Sequence, residues 1–287
     1  MEMIRQGTTS LIETEVLMPT SLEQAWDLKE KLGETASFIA GGTLMQTHWA
    51  KGLDCPSYLI SLDRLNEVKG WGKELLNDQS YTRLGAGITL DFCRQNKELF
   101  HPLLVEAARN IAAPAVRNKA TIGGNVANGF GDMIPALLAM DSVLSVYDGN
   151  LVQNQPLYDY IKNNSQSLII SVYVPNDQMK HFFYKKLCHR ESFTPSVVTV
   201  AGTFHLNEKR EISAVRLAVS GSTTQPQRLY ESEQLLEGSS LTNEQLQKVF
   251  QTIEEEFTPS TDVYSTATYK KSVAANWVVS EIARLAT

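Results

Sequence analysis

Cysteine is scarce: Cys55, Cys93 and Cys188 are widely separated and show no Cys-x-x-Cys spacing. An odd, dispersed set argues against a disulfide framework and a structural zinc site. It also cannot supply the four thiolates of an iron–sulfur cluster, which leaves buried or idle thiols in a reducing compartment as the expectation. Long apolar runs are missing too. The most apolar stretch, Met133 to Val146, is interrupted by Asp141 and falls short of the ~20 residues that span a bilayer, so no membrane association is expected. The opening Met1-Glu2-Met3-Ile4-Arg5 continues into polar residues and lacks the charged-then-apolar order of a signal peptide; a cytoplasmic location follows as the expectation. Basic clusters are absent. Net charge is −6 with Lys and Arg scattered, so the phosphate-neutralising surface that nucleic acid needs is not there. His48, His101, His181, His189 and His205 form no metal-ligand spacing. No Gly-x-Ser-x-Gly elbow supports a serine hydrolase, and Ser220-Gly221-Ser222 reads as a strand-end turn.

What is present is an ordinary globular composition, 43% hydrophobic and 20% charged over 287 residues, long enough for a sizeable core and about two domains. Leu22, Ala25, Trp26, Leu28 and Leu32 share a helical face behind Thr20-Ser21, with Gly33 as the stop. Strands are expected at Ser37 to Ala40, Tyr58 to Leu62, Thr82 to Gly87, Val143 to Tyr147 and Leu168 to Val174. Helices are expected at Met45 to Ala50, after Thr89, at Leu103 to Ala113 with Pro114 as the breaker, and at Pro135 to Met140. The texture changes near residues 175 to 182. Beyond it come three expected strands, Phe182 to Leu187, Ser196 to Leu206 and Ile212 to Val219. Helices at Leu229 to Leu236, Thr242 to Phe257 and Tyr269 to Leu285 follow. Strands followed by helices predict an α+β arrangement.

Two glycine-rich segments stand out. Ala40-Gly41-Gly42-Thr43 leaves a buried strand, and Thr121-Ile122-Gly123-Gly124-Asn125 lies in the expected loop Arg117 to Asn125. Glycine lets backbone N–H groups approach an anion, and consecutive N–H groups form a nest for phosphate. Either pair alone is more often a turn; together they can grip a pyrophosphate from two sides. Neither fits Gly-x-Gly-x-x-Gly or a P-loop, which disfavours Rossmann nicotinamide and Walker-type sites.

This pair resembles the FAD-binding medium subunits of the molybdenum hydroxylases, of xanthine dehydrogenase and carbon monoxide dehydrogenase type. The likeness extends to Leu84-Gly85-Ala86-Gly87, Arg117-Asn118, Asp132, Pro135-Ala136-Leu137-Leu138, and Tyr184-Lys185-Lys186 with Arg190. Gln225-Pro226, Glu233 with Leu236 and Gly238, and Asp262 through Tyr269-Lys270-Lys271 complete it, so nearly the whole chain is covered. The resemblance implies a PCMH-like FAD-binding domain over 1–177, with subdomains near 1–60 and 61–177. A smaller C-terminal α+β domain would follow over 178–287, built as a three-stranded antiparallel sheet packed with helices. It implies FAD as cofactor and, as partners, an iron–sulfur subunit and a molybdopterin-containing large subunit. Electrons would pass through FAD to NAD+ or another acceptor, with a purine such as xanthine as substrate of the complex. The cysteine count is consistent with that division.

Position by position, the resemblance implies that backbone around Ala40, Gly41, Gly42, Thr43, Leu44 and Met45 cradles the pyrophosphate. Thr121, Gly123, Gly124 and Asn125 would close the other side, with Ile111 packing near the cofactor. Asp132 would face the adenosine portion, Ile169 the isoalloxazine ring, and Lys185 the flavin's polar edge, where a cation stabilises reduced flavin. On residue chemistry alone, Asp132 also reads as a helix N-cap ahead of Pro135, Ile169 as a core strand residue, and Lys185 as one of an exposed lysine pair. Two departures stand out: Leu44 occupies a position that is commonly acidic, and Gly129-Phe130-Gly131 stands where a Ser-Pro is usual. A free-standing flavin oxidoreductase and a non-redox nucleotide-binding scaffold are the alternatives.

Overall fold

The structure is a computed structural model that describes residues 14–176, 180–188, 196–221 and 223–286. His189, Arg190, Ser222, the first residues of the chain and the expected 177/178 boundary lie outside the described residues.

The chain opens with β1 (Glu15–Leu17), α1 (Leu22–Leu32), β2 (Ala36–Ile39), α2 (Thr43–Ala50) and β3 (Tyr58–Ser61). Ser21 caps α1 by accepting the Gln24 N–H at 3.2 Å, as the sequence predicts. The three strands form a parallel sheet in the order β1-β3-β2. Parallel strands need crossovers; α1 carries the chain from one edge strand, β1, to the other, β2, and packs on β2 and β3.

Next come β4 (Trp71–Leu76), β5 (Gln79–Gly85), five short helices, β6 (Val143–Tyr147), β7 (Val152–Pro156), α8 (Leu157–Lys162) and β8 (Leu168–Pro175). The helices are α3 (Leu90–Gln95), α4 (Pro102–Asn110), α5 (Pro114–Arg117), α6 (Ile122–Ala127) and α7 (Ile134–Ala139). A five-stranded antiparallel sheet results, ordered β4-β5-β8-β6-β7. Its centre, β8, is buried along its whole length, which explains why it reads as a continuous apolar run rather than an alternating one. Pro114 does not simply break a helix: α4 stops at Asn110, and Pro114 starts α5, where its missing N–H costs nothing.

The last part holds β9 (His181–Leu187), β10 (Val198–Leu206), β11 (Ile212–Gly221), β12 (Thr224–Arg228), α9 (Tyr230–Leu236), α10 (Asn243–Glu256) and α11 (Ala267–Ala286). Its antiparallel sheet has four strands, β12-β11-β10-β9, rather than the three expected. Pro226 hides the fourth. It sits on the edge strand beside the irregularity between Val219 and Gly221, the kind of place a sheet tolerates proline. Val200, Phe204, Leu217 and Val219 of this sheet pack with Val249, Ile253, Val278 and Ile282 of the helices into a core of their own.

Between the two cores lies α7, buried along its entire length. It packs against β10, β11 and β12, and Thr203 donates to the Ala139 carbonyl at 2.7 Å. Arg228 forks onto Glu233 at 2.7 and 2.8 Å and also binds Asp141. Among the described residues no helix is long and apolar enough to cross a membrane.

Candidate functional site

The first glycine segment is the turn from β2 into α2. Gly42 is the cap of α2 with φ 67° and ψ 0°, left-handed backbone that glycine enters without a Cβ penalty. The first bond of α2 runs from the Gln46 N–H to the Gly42 carbonyl, 3.0 Å. Among the described residues the N–H groups of Gly41, Gly42, Thr43, Leu44 and Met45 therefore have no protein acceptor. A run of free donors at the positive end of a helix is an anion site. Leu44 is 41% exposed and brings no negative charge to compete with an anion.

The second segment is not a loop. Thr121 caps α6, accepting the Gly124 N–H at 3.0 Å, and the following residues form its first turn. Its donors are already committed: Ile122 N–H to the Ile88 carbonyl at 2.8 Å, Gly123 N–H to Ala86 at 2.9 Å, and Asn125 N–H to Thr121 at 2.9 Å. Gly123 lies so close to Ala86 that a Cβ would stand 2.5 Å from the Ala86 Cβ. This segment therefore offers a bare backbone face rather than hydrogen bonds.

The first segment touches the chain that leads into the second. A Cβ on Gly41 would fall 1.8 Å from the Lys119 carbonyl oxygen, immediately ahead of Ala120 and Thr121. Beside this contact opens a cleft of about 730 Å³, a size suited to a small-molecule cofactor. Ala40, Thr121, Gly123, Gly124 and Ile169 all line it. Ile169 projects from β8, buried, next to Val146 of β6. Free N–H donors, side-chain-free backbone and a roomy cleft fit a dinucleotide carrying a pyrophosphate.

Other predicted residues lie off the cleft wall: Gly41, Gly42, Thr43, Leu44 and Met45 follow Ala40 but do not line it themselves. Ile111 is buried at the end of α4, and its carbonyl accepts from Arg117 Nη1 at 3.0 Å. The Asn125 side chain accepts the Met133 N–H at 3.0 Å and so ties α6 to the turn before α7. Asp132 does not cap α7, whose N-cap is Met133. Its carboxylate instead meets Lys186 at 2.7 Å and the Ser196 hydroxyl at 2.6 Å, while Tyr184 donates to its carbonyl at 2.9 Å. Burial, reinforced by the Asp132 charge, pushes the Tyr184 phenol well up. Lys185, on the opposite face of β9, pairs with Glu281 of α11 at 2.9 Å.

The cleft also recruits residues that the sequence did not assign to the site. Tyr160 braces the chain after α8 by donating to the Ser167 carbonyl at 3.1 Å, and burial pushes its phenol to about 12, so it stays a donor. Gln225 of β12 reaches across to the Ile161 carbonyl at 2.5 Å. Phe130, Asn128 and Lys162 complete the wall. Gln225 carried a signal as part of the family likeness and Phe130 as part of the Gly129-Phe130-Gly131 departure; Tyr160, Asn128 and Lys162 carried none.

Residues 12–177 match the family model for the FAD binding domain in molybdopterin dehydrogenase, and residues 183–284 that for the CO dehydrogenase flavoprotein C-terminal domain. The chain is 28% identical over 265 residues to the nicotine 6-hydroxylase medium subunit of Paenarthrobacter nicotinovorans, covering 88% of this chain and 90% of that protein. Against the xanthine dehydrogenase FAD-binding subunit of Escherichia coli O157:H7 it is 24% identical, covering 78% and 80%. A chain of the carbon monoxide dehydrogenase of Hydrogenophaga pseudoflava shares the fold, with TM-score 0.86 at 23% identity over 95% of this chain and 97% of that one. The fold, the paired glycine segments and these matches lead to one conclusion: the chain belongs to the FAD-binding subunits of the molybdenum hydroxylase family, and its cofactor is FAD.

Proposed function

We propose that this chain is the flavin-bearing subunit of a heteromeric molybdenum hydroxylase. It would join an iron–sulfur subunit and a molybdopterin-containing large subunit, with NAD+ as terminal acceptor and a purine such as xanthine as substrate. The observation that carries the proposal is the contact of Gly41 with the Lys119 carbonyl, which brings both glycine segments to one cleft. FAD, when bound, supplies the redox chemistry, and the protein supplies position and electrostatics.

In this proposal the N–H groups of Gly41 to Met45 hold the pyrophosphate. Gly123 and Gly124 present the bare backbone against which it lies, and Thr121 fixes that backbone by its cap. Ile169 provides an apolar wall. Asn125 and Asp132 hold the turn beside the cleft, Ile111 ends α4 and takes the Arg117 guanidinium on its carbonyl, and Lys185, oriented by Glu281, contributes positive charge on β9. The partner subunits are supported by the dispersed cysteines and by relatives named as medium subunits. The purine is supported by a relative named for xanthine, and an N-heterocycle of the nicotine kind is the neighbouring class.

Reconstitution tests each part. The purified chain mixed with FAD should acquire a flavin absorbance spectrum, and NADH should bleach it. No flavin uptake overturns the central assignment, and uptake without bleaching by NADH removes NAD+ as acceptor. Unaided oxidation of a purine by the flavin-loaded chain would favour a free-standing oxidoreductase.

A further inference from the structure

Phe130 is a large aromatic side chain that the core does not use. It is 48% exposed, yet it forms part of the wall of the cofactor cleft. The turn that carries it is pinned on both sides. Before it, the Gly129 N–H donates to the Val126 carbonyl at 2.9 Å, and Gly129 takes φ 73°. After it, Gly131 lies directly on Asn125, where a Cβ would stand 2.1 Å from both the backbone and side-chain oxygens. The Gly131 carbonyl accepts the Ile134 N–H at 3.0 Å. Asn125 accepts from Met133, and Asp132 is bound by Lys186 and Ser196. The backbone under the ring is therefore fixed. Ordering Phe130 under a flat ligand then costs only its own side-chain rotation, with no loop to order.

We propose that Phe130 stacks on a planar ring of the bound dinucleotide and sets its affinity. This rests on FAD occupying the cleft. Stacking on an aromatic side chain needs only a π-face, so both the adenine and the isoalloxazine ring qualify, and the test separates them.

The experiment is titration of the full-length chain with FAD, with ADP and with riboflavin 5′-phosphate, for the natural chain and for Phe130→Ser, Phe130→Leu and Phe130→Trp. Phe130→Ser should weaken FAD about tenfold or more, the scale of one base-on-aromatic stack. Phe130→Leu should recover only part of that loss, and Phe130→Trp should restore it. Trp emission in the Phe130→Trp chain should fall on FAD addition by more than it does in the natural chain. A parallel loss for ADP assigns the stack to adenine, and a parallel loss for riboflavin 5′-phosphate assigns it to the isoalloxazine ring. Thermal unfolding of the unliganded chains should coincide, because the side chain is half exposed. Equal FAD affinity for the natural chain and Phe130→Ser overturns the proposal while leaving FAD binding intact. A natural chain that takes up no FAD overturns both.

Discussion

Substituting Gly41 by alanine tests whether the contact between the glycine segments builds the pyrophosphate site. The added Cβ would sit 1.8 Å from the Lys119 oxygen and 2.5 Å from its carbon. Real Cβ contacts do not fall below 3.0 Å, so the two backbones must separate by more than 1 Å. Both partners are main chain, which cannot rotate away as a side chain tip would. Overpacking of this kind costs about 1–3 kcal/mol, and the melting temperature should fall by a few degrees. The effect on binding should be larger. The N–H groups of Gly41 to Met45 are free donors, and a hydrogen bond to a charged group is worth about 1.5–3 kcal/mol. Misplacing two of them by an ångström removes about 3 kcal/mol or more, over a hundredfold in Kd. The control is Gly52→Ala, where φ is 77° but nothing lies within 4 Å of the new Cβ. It carries backbone strain without touching the cleft. Flavin absorbance of the reconstituted chains, with calorimetric melting of the same samples, gives both readouts. Wild-type FAD affinity in Gly41→Ala would refute the two-segment cradle. Equal flavin loss in Gly52→Ala would show that general destabilisation, not site geometry, explains the result.

Three further outcomes are expected. Gly42→Val and Gly124→Val should each lose FAD while circular dichroism shows a folded chain, with Gly42→Val melting lower because φ 67° strains a β-branched residue; a Cβ there meets only Ile39 side-chain atoms and at Gly124 only the Thr121 hydroxyl, and full flavin occupancy in both would contradict the cradle. Asp132→Ala should destabilise by about 3–5 kcal/mol in a denaturant titration, since it leaves the Lys186 side chain, 6% exposed, without its carboxylate, whereas Asp132→Asn should cost less by keeping an acceptor for Ser196. Cys93 should resist alkylation at mildly alkaline pH while exposed Cys55 reacts, because burial pushes the Cys93 thiol to about 12 and keeps it protonated; mass-spectrometric labelling of the native chain would read this directly.

Elements with a strong local pattern were legible in the sequence. Thr89 caps its helix as expected, and Ser21 is the one of the Thr20-Ser21 pair that caps α1; β8 lies where its β-branched run predicts. Elements held by partners distant in sequence were not. In β4, Trp71-Gly72-Lys73-Glu74-Leu75-Leu76 is mostly exposed and acquires strand character only by pairing with β5. Proline masked β12. The α6 turn escaped because adjacent glycines are poor helix formers; carbonyls of Ile88 and Ala86 hold it instead. The same division applies at the site. Both glycine pairs were visible, and so was Asp132. The partners of Asp132, however, lie 54 and 64 residues away at Lys186 and Ser196. Tyr160 and Gln225 reach the cleft only because β12 packs on α8.

The two glycine pairs look equivalent in sequence and are opposite in physics. At Gly41-Gly42 the donors are free and the absent side chain permits a close backbone contact, so the pair acts directly on an anion. At Gly123-Gly124 the Gly123 donor is spent on Ala86 and the Gly124 donor on the Thr121 cap, so the pair can act only through space that it leaves unfilled. Gly123 needs that space for the protein itself, because its Cβ would meet Ala86. Gly124 needs it less, since its Cβ would meet only the Thr121 hydroxyl, at 3.0 Å, which has to give by a few tenths of an ångström. A glycine that the protein crowds so little leaves its bare face to a ligand. Gly124 is accordingly the position at which cofactor contact and folding separate most cleanly.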